Sequence, residues 1–501
     1  MSALPNSAYG QLETLFRRLG AIGEATSILH WDASTMMPAG SADARGEQLA
    51  ALNTIQHEMM ASPQTADLIA ASADEAASLD EWQTANLREM RRNWVHATAV
   101  DAALVEARTK ATMKCEMIWR EARPRSDFAA VLPALTEVVN LTRQAASAKA
   151  AKLGLSPYDA LMDQFSPGVR AAEVDIVFAE LAAKLPDMID KALARQAAGP
   201  QPIEPKGPFP AEAQRAVGTK FMELLGFDFN AGRLDTSLHP FSGGTPDDLR
   251  ITTRYDESDF TRGLMGILHE TGHALYERGL PRDWRRQPVG EARGMDVHES
   301  QSLLIEMQVC RSTEFLSFAA PHLRAAFNAD GPAWTPENLA RIYTRVARSL
   351  IRVDADEMTY PLHVILRYRL ERAIITGDLA LADLPAAWNA AMRDLVGIVP
   401  DSDQTGCLQD IHWFDGAFGY FPSYTLGAMA AAQMFAAAKE ADSEILPAIA
   451  RGDFKPLYAW LSANVHGQGC RYETPELIAK ATGKPLSVQP FLSHLERRYL
   501  G

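Results

Sequence analysis

The sequence predicts a mainly α-helical protein with one small β-sheet beside the helix predicted at 258–279. Apolar residues recur every three or four positions through most of residues 9–195 and again from 336 onwards, which is the helical period. Alternation of apolar and polar residues, which is typical of a half-buried strand, is clearest at 239–255. The apolar fraction of 47% is sufficient for a large core.

The N-terminal half is predicted to be a series of helices. Residues 80–114 are compatible with one long helix, and residues 128–153 form another that is rich in Ala and Leu. Four prolines between 199 and 208 exclude a helix there. Because helical patterning resumes at 211, we interpret this proline-rich stretch as a surface loop within one domain.

Two strands are predicted just before the helix at 258–279. One covers residues 239–242, and the other covers 248–255, where Leu, Ile, Thr and Tyr alternate with Arg and Thr. Gly243 and Gly244 between them predict a hairpin or a sharp turn. A sheet in this position would form one wall of a cleft, and the alternative is an incidental hairpin.

The run His-Glu-Thr-Gly-His at residues 269–273 carries the most specific chemistry. It lies within 258–279, a stretch that predicts one amphipathic helix. His269 and His273 lie one turn apart on the same face, so their ring nitrogens can bind one zinc ion. Glu270 lies beside that ion, where it can take a proton from water. The alternative is a solvated helix that carries two histidines by chance.

Three glycines lie within the same predicted helix. Gly263, Gly266 and Gly272 each cost about 1 kcal/mol relative to alanine in a helix. This cost indicates that another backbone or a ligand approaches closely. We therefore expect a buried catalytic helix.

A third metal ligand is expected downstream, because catalytic zinc takes three protein ligands. A second helix is predicted from 296 to about 318, and it carries Glu299, which can reach the metal if the two helices pack antiparallel. Its competitors are Glu291, Asp296, His298 and Glu306. We interpret Asp296 as a helix N-cap and Glu306 as a hydrogen-bond acceptor for a ligand histidine.

Helices dominate again in the C-terminal part. They are predicted at 338–368, with a break at Pro361, at 387–396 and at 426–441. Residues 351–356 place an arginine and two acids within the first of these helices, as a buried ion network or as a polar face. Residues 403–424 form a long loop rich in glycine and aromatic residues, and loops of this length are usually functional.

The composition argues against several classes of function. A net charge of −14 disfavours a nucleic-acid or anionic-membrane surface. No apolar stretch reaches membrane-spanning length, and the N-terminus lacks the segments of a signal peptide. The four cysteines are widely spaced, which is typical of reduced thiols. We expect a cytoplasmic protein with no nucleic-acid partner and no membrane partner.

Six short motifs, in order, resemble those of the carboxypeptidase Taq family of zinc metallocarboxypeptidases. They are H-P-F at 239–241, D-x-R-x-T at 248–252, H-E-x-x-H at 269–273, H-E-S/G-Q at 298–301, I-R-x-x-A-D at 351–356 and G-x-x-Q-D-x-H-W at 406–413. The helical N-terminal half also looks like the lid-bearing region of that family. The resemblance implies a single saddle-shaped chain with a deep central groove, usually a homodimer.

The resemblance also implies roles for the matched residues. Glu299 becomes the third ligand of one zinc ion per chain, with cobalt as an alternative, and Glu270 becomes the general base. Single amino acids are removed from the free C-termini of peptides, with broad side-chain preference and with proline disfavoured. We expect one domain over 1–501, with a lid-bearing helical region of about 1–198 and a catalytic region of about 211–501.

A carboxypeptidase must also stabilise an oxyanion and bind a free carboxylate. The candidate oxyanion donors are Tyr420, Tyr424 and His412 in the aromatic loop. The candidates for the carboxylate are Arg250 and Arg352, each of which can instead be a structural partner of a nearby aspartate. Further candidates for substrate binding, within matched motifs, are His239 and Gln409.

Two other interpretations stay open at this point. An oligo-endopeptidase can use the same zinc-helix scaffold, and it would cut amidated peptides that a carboxypeptidase leaves intact. A non-catalytic helical protein can keep the motif by descent, although such a protein has no need to keep Glu270.

Overall fold

The computed structural model describes residues 6–237 and 240–501. The N-terminal half is helical, as predicted. Its helices are α1 (Ala8–Thr35), α2 (Ala42–Ala61), α3 (Pro63–Asp74), α4 (Glu81–Thr98), α5 (Ala102–Ala122), α6 (Phe128–Leu153), α7 (Pro157–Met162) and α8 (Ala171–Ala198). The proline-rich stretch after α8 is an exposed connection, and α9 (Ala211–Leu225) follows it.

Three short strands follow α9 and form one sheet. They are β1 (Gly232–Thr236), β2 (Ser242–Thr245) and β3 (Asp248–Thr253), in the spatial order β1-β3-β2. β3 pairs antiparallel with β2 and parallel with β1. The predicted hairpin is confirmed by β2 and β3, but its turn lies at Pro246 and Asp247, because Gly243 and Gly244 both pair with β3. His239 lies outside the described residues.

The part of the chain after β3 is again helical. Its helices are α10 (Phe260–Gly279), α11 (Gly294–Leu303), α12 (Thr313–Phe327), α13 (Pro336–Tyr343), α14 (Tyr360–Thr376), α15 (Leu384–Leu395), α16 (Pro422–Ala441), α17 (Ile445–Ala450), α18 (Lys455–Asn464), α19 (Thr474–Thr482) and α20 (Val488–Leu495). A π-helical segment, Leu304–Val309, continues α11. Among these helices and those of the N-terminal half, as far as the structure describes them, none has the length and apolar character needed to cross a membrane.

Three of the predicted helices are interrupted in the structure. Residues 80–114 are divided between α4 and α5, because the Asp101 side chain caps a new helix by accepting from the backbone N–H of Leu104. The helix predicted from 296 to 318 ends after its π-helical segment, and Ser312 caps α12. The helix predicted at 338–368 is replaced by α13, an irregular segment and α14.

α16 lies between two hydrophobic cores. Leu426 and Met429 belong to a core that α16 shares with α5 to α8, α14, α15 and α20. Ala430 and Met434 belong to a second core, shared with α9 to α13 and α17 to α19. The first core therefore joins helices from both halves of the chain, and the second surrounds the helix that carries the metal-binding motif.

Two glycines allow the helices around the motif to touch. A Cβ atom added at Gly272 of α10 would lie 2.7 Å from Ser302 Cα on α11. A Cβ atom added at Gly427 of α16 would lie 2.9 Å from Glu299 Cβ on α11. The predicted close approach is confirmed at Gly272, whereas nothing lies within 4 Å of a Cβ atom at Gly266. α11 is thus held tightly between α10 and α16.

Gly272→Ala is expected to destabilise the protein by about 1–3 kcal/mol, because the added methyl group must push α11 away. Gly266→Ala is the matched control and should raise stability by up to about 1 kcal/mol through helix propensity alone. Denaturant unfolding followed by circular dichroism measures both. Equal stability of the two variants would contradict the close packing of α10 on α11.

Candidate active site

α10 and α11 bring two histidines and one glutamate together. Glu299 Oε2 on α11 lies 3.6 Å from His273 Nε2 and 4.0 Å from His269 Nε2 on α10. The ligand atoms of these three residues lie within 4.8 Å of one another, and no other group of three such side chains does so in residues 6–237 and 240–501. Among the candidates for the third ligand position, Glu299 is the one that lies beside both histidines.

His269 is oriented by a chain of polar contacts that leads away from the cluster. Its Nδ1 lies 2.9 Å from Glu306 Oε2, and Glu306 Oε1 accepts from Arg311 Nη2 at 2.5 Å. The carboxylate holds a proton on Nδ1, so Nε2 is the nitrogen that can give its lone pair to a metal ion. Although burial alone would raise it, Arg311 and His269 hold the pKa of the Glu306 carboxyl below its usual value. Glu306 is therefore the acceptor that its spacing predicted.

His273 is oriented by a second chain of contacts. His298 Nε2 lies 2.8 Å from Glu277 Oε1, so it donates to that carboxylate, and His298 Nδ1 is free to accept. His273 Nδ1 lies 2.6 Å from His298 Nδ1 and donates to it. Burial holds the pKa of His273 well below its usual value, so the ring is neutral and its Nε2 lone pair faces Glu299. His298 thus supports a ligand histidine.

Asp296 does not cap α11, contrary to our interpretation of the sequence. It lies inside the first turn of that helix, which begins at Gly294, and its carboxylate accepts from the backbone N–H of Val297. Its side chain is buried.

The charge of the cluster suits a divalent cation. Glu270, Glu299 and Glu306 surround the two histidines, and Arg311 balances only part of their charge. Although burial alone would lower it, these three carboxylates raise the pKa of His269 to about 10. Two imidazole nitrogens and one carboxylate oxygen are a ligand set typical of catalytic zinc sites. The residues present therefore fit a divalent metal ion.

Glu270 lies beside the first ligand histidine and is only 8% exposed. Burial raises the pKa of its carboxyl to about 7. A carboxylate in this range can both accept and return a proton near neutral pH. Two cavities, of about 200 Å³ and 490 Å³, border His269 and the irregular segment between α13 and α14, and they provide space for a substrate.

Residues 351–356 lie in that irregular segment and not within a helix, so the predicted helical position is wrong. Arg352 Nε and Nη2 donate to Asp410 Oδ1 at 3.0 and 2.8 Å, and Nη1 donates to Tyr360 Oη at 2.8 Å. Asp410 also accepts from the fully buried Arg367, whose Nε lies 2.6 Å from Oδ2. Two arginines thus share one carboxylate in a buried ion network, which confirms that predicted alternative for Arg352, whereas Asp354 is half exposed and pairs with Arg262.

Gln409 holds Arg352 through the backbone. Its Oε1 accepts from the Arg352 backbone N–H at 2.9 Å, and its Nε2 donates to the carbonyls of Leu350 and Thr405. Its amide is therefore engaged with the protein backbone, in a position where it orients Arg352.

The aromatic residues predicted as oxyanion donors lie together. His412 Nε2 is 3.3 Å from Tyr424 Oη, and the rings of Tyr420 and Tyr424 are 5.1 Å apart. The Arg352 guanidinium lies 4.9 Å from the centre of the Tyr424 ring. Burial and the nearby Glu299 charge raise the pKa of Tyr420 to about 12, so its hydroxyl stays a neutral donor. Tyr424 belongs to the first turn of α16, beyond the end of the loop.

Arg250 is engaged on β3. Its Nε and Nη2 donate to the two oxygens of Asp248 at 3.0 and 2.6 Å, and its guanidinium lies 4.5 Å from the centre of the Trp31 ring on α1. Arg250 therefore ties the sheet to α1, whereas Arg352 lies beside the aromatic group.

Sequence reasoning missed three residues of this site. Tyr360 and Arg367 complete the network around Arg352, and Glu277 ends the chain that orients His273. A signal existed for Glu277, because it lies four residues after His273 on the same face of α10. Arg367 carried none, because Asp410 is 43 residues away. Tyr360 carried none, because its contact with Arg352 depends on the irregular segment between them.

A buried cluster of two histidines and one carboxylate, with a carboxylate base beside it and a cavity in front, defines a metal-dependent hydrolase. Comparison with known proteins identifies the family. The sequence profile of the carboxypeptidase Taq (M32) metallopeptidases matches residues 11–499, and the chain belongs to this family.

The relatives share almost the whole chain. It is 38% identical over 508 residues to thermostable carboxypeptidase 1 of Thermus thermophilus, with 99% of each covered. It is 33% identical to carboxypeptidase 1 of Bacillus subtilis, with 97% of this chain and 96% of the relative covered. The solved structure of Trypanosoma cruzi metallocarboxypeptidase 1 has a TM-score of 0.97 at 40% identity and covers 99% of both chains. The chain is a metallopeptidase that acts on the C-terminus of peptides, and its family implies a divalent metal.

Glu306→Gln is expected to weaken metal binding about 10- to 100-fold, because the neutral amide no longer fixes the His269 ring as strongly. Competition with a chelating dye measures the affinity. Glu444→Gln, at an exposed glutamate that pairs with Arg451 at 3.5 Å, is the control and should bind metal like the wild type. Unchanged affinity in Glu306→Gln would contradict its role as the orienting acceptor.

Proposed function

We propose that this metallocarboxypeptidase uses one zinc ion held by His269, His273 and Glu299. We further propose that it removes one amino acid at a time from peptide C-termini, with broad side-chain preference and little action on proline. The observation that carries the proposal is the convergence of the three ligand atoms beside Glu270. The breadth of the preference and the exclusion of proline rest on the family resemblance.

When bound, the metal ion supplies Lewis-acid polarisation of the scissile carbonyl and of a water molecule. Glu270 takes the proton of the attacking water and returns it to the amine nitrogen of the leaving amino acid. Its burial and its pKa near 7 suit both transfers. Glu299, Glu306 and Glu270 are buried together, so a bound cation balances the negative charge of their carboxylates.

Tyr420, Tyr424 and His412 are proposed to stabilise the oxyanion that forms on the scissile carbonyl. Burial raises the pKa of both tyrosine hydroxyls, and the charge of Glu299 raises it further. This effect supports a position of the two hydroxyls close to the metal ligands. A preorganised neutral donor in a buried site contributes about 3–4 kcal/mol to the stability of such a transition state. Tyr420 is the first candidate, because His412 already contacts Tyr424.

Arg352 is proposed to bind the free carboxylate of the substrate. Asp410 and Tyr360 use three of the five guanidinium N–H groups, which leaves two for a ligand. Burial raises the pKa of Glu299, and the charge of Arg352 counteracts that rise. Tyr360 lines the cavity that borders Glu299. The second cation of the network, Arg367, neutralises Asp410, so the Arg352 charge stays available to a substrate carboxylate.

Glu270→Gln is expected to keep the metal ion and to lower kcat by roughly 10²–10⁴-fold, because the amide cannot accept the proton of water. Metal content by mass spectrometry and steady-state kinetics test this prediction together. A variant that keeps near wild-type turnover would remove Glu270 from the mechanism.

Arg352→Lys is expected to lower kcat/KM for a free-ended peptide by about tenfold or more while it changes hydrolysis of the C-terminal amide little, because lysine lacks the two-pronged fork. Arg250→Lys is the matched control and should leave the ratio of the two rates near the wild-type value. If Arg250→Lys loses activity on the free-ended peptide and Arg352→Lys does not, the substrate carboxylate binds Arg250 on β3 instead.

A peptide ladder analysed by mass spectrometry tests the mode of cleavage. We expect stepwise loss of single residues from the C-terminus and a stop before proline. Internal cuts would support the oligo-endopeptidase alternative instead. Zinc or cobalt in the purified protein is identified by elemental analysis. A homodimer and a cytoplasmic location stay predictions.

A further inference from the structure

Glu371 on α14 is a completely buried carboxylate that the proposed mechanism does not use. Its Oε1 accepts from Tyr158 Oη at 2.7 Å and from the Gly419 backbone N–H at 2.7 Å. Its Oε2 accepts from Trp413 Nε1 at 2.8 Å. In the described part of the chain no arginine, lysine or histidine forms an ion pair with it. Three hydrogen bonds therefore stabilise this carboxylate without a cation.

Two of these donors flank the proposed oxyanion donors. Trp413 follows His412 directly in the chain, and Gly419 directly precedes Tyr420. One carboxylate thus holds the loop at two points, each one residue away from a side chain of the active site.

The loop between these two points depends on such attachments. Residues 411–421 contain no helix or strand, and their internal backbone bonds are those of turns, such as Phe414 N–H to Ile411 O at 2.8 Å. Gly419 has a φ of +93°, and a Cβ atom there would lie 2.8 Å from the backbone carbon of Leu161 on α7. The loop therefore packs directly on α7, and Glu371 joins α14, α7 and the loop.

We propose that Glu371 is a positioning residue that holds His412 and Tyr420 in the orientation needed to stabilise the oxyanion. The inference rests on the proposed function of these two side chains. Hydrogen bonds to an ionised acceptor are about twice as strong as those between neutral groups, and a buried donor that loses its acceptor costs about 1–3 kcal/mol. Burial raises the pKa of Glu371 to about 7, and the three hydrogen bonds counteract that rise by stabilising the ionised form.

A glutamine at this position breaks one of the two attachments whichever way it is placed. If its oxygen accepts from Gly419 and Tyr158, its NH₂ group faces the N–H of Trp413. If its oxygen accepts from Trp413, its NH₂ group faces the N–H of Gly419. Tyr158→Phe is the matched control, because it deletes a bond to the same carboxylate and leaves both attachments of the loop.

The experiment compares wild type, Glu371→Gln, Tyr158→Phe, Tyr420→Phe and the double variant Glu371→Gln/Tyr420→Phe. We expect Glu371→Gln to lower kcat about 10- to 100-fold with KM within about threefold and full metal content, and Tyr158→Phe to stay within about twofold of wild type. The double variant should be within about threefold of the slower single variant, because Glu371 acts through Tyr420.

Several outcomes would overturn the inference. If Glu371→Gln and Tyr158→Phe lose kcat equally, or if the losses of Glu371→Gln and Tyr420→Phe multiply, Glu371 supports only the stability of the fold. If Tyr420→Phe is slow but Glu371→Gln is not, the inference fails while the proposed function stands. If Tyr420→Phe keeps wild-type kcat, the proposed donor is wrong and the inference falls with it.

A second variant covers the case in which Glu371→Gln does not fold. Trp413→Phe keeps an aromatic ring, although a smaller one, and removes the N–H that reaches Glu371 Oε2. It should lower kcat about 3- to 10-fold, and its loss should fail to multiply with that of His412→Ala. A wild-type kcat in Trp413→Phe would overturn the inference for the attachment beside His412.

Discussion

The backbone contact between α10 and α11 at Gly272 is the constraint on which the metal centre depends. Ligand atoms on two helices can meet within 4.8 Å only if the helix axes are close. Gly272 lets α10 pack closely against α11, and Gly427 of α16 contacts Glu299 from the other side of α11. The helical glycine therefore weakens α10 locally and in return permits Glu299 to reach His269 and His273.

Each ligand histidine is held from behind by a chain of polar side chains. His269 leads to Glu306 and Arg311, and His273 leads to His298 and Glu277. Both chains place the proton on Nδ1 and direct Nε2 at the same point. The contacts behind His269 end at a cation, Arg311, and those behind His273 end at a carboxylate, Glu277. The two histidines therefore have different electrostatic surroundings, although they occupy equivalent positions in the motif.

Much of the site could be predicted from local signals in the sequence. The metal-binding helix, its two histidines and Glu270 follow from a spacing of four residues, and the structure places α10 within two residues of the predicted bounds. Glu299 could be named as a candidate but not chosen over Glu291 on spacing alone, because the choice depends on how α11 packs. β1 was missed, because Leu234 is the only large apolar residue in its five and its pairing with β3 is parallel.

The interrupted helices show where local reasoning fails. Residues 351–356 continue a helical pattern, yet they form an irregular segment, because Arg352 gains Asp410 and Tyr360 as partners there. Asp410 lies far away in the sequence, so no window of residues contains this interaction. The same holds for Glu371, whose donors come from α7 and from the aromatic loop.

The sequence by itself determined the helical class of the fold, the candidate metal-binding motif with its proposed general base, and the family. These depend on the periodicity and order of neighbouring residues, which the chain carries without being folded. Only the tertiary structure decided which glutamate faces the histidines and which arginine lies beside the aromatic group. It also decided which buried carboxylates hold that arginine and the aromatic loop in place. These are contacts between distant segments, and they exist only once helix packing has fixed the distances between them.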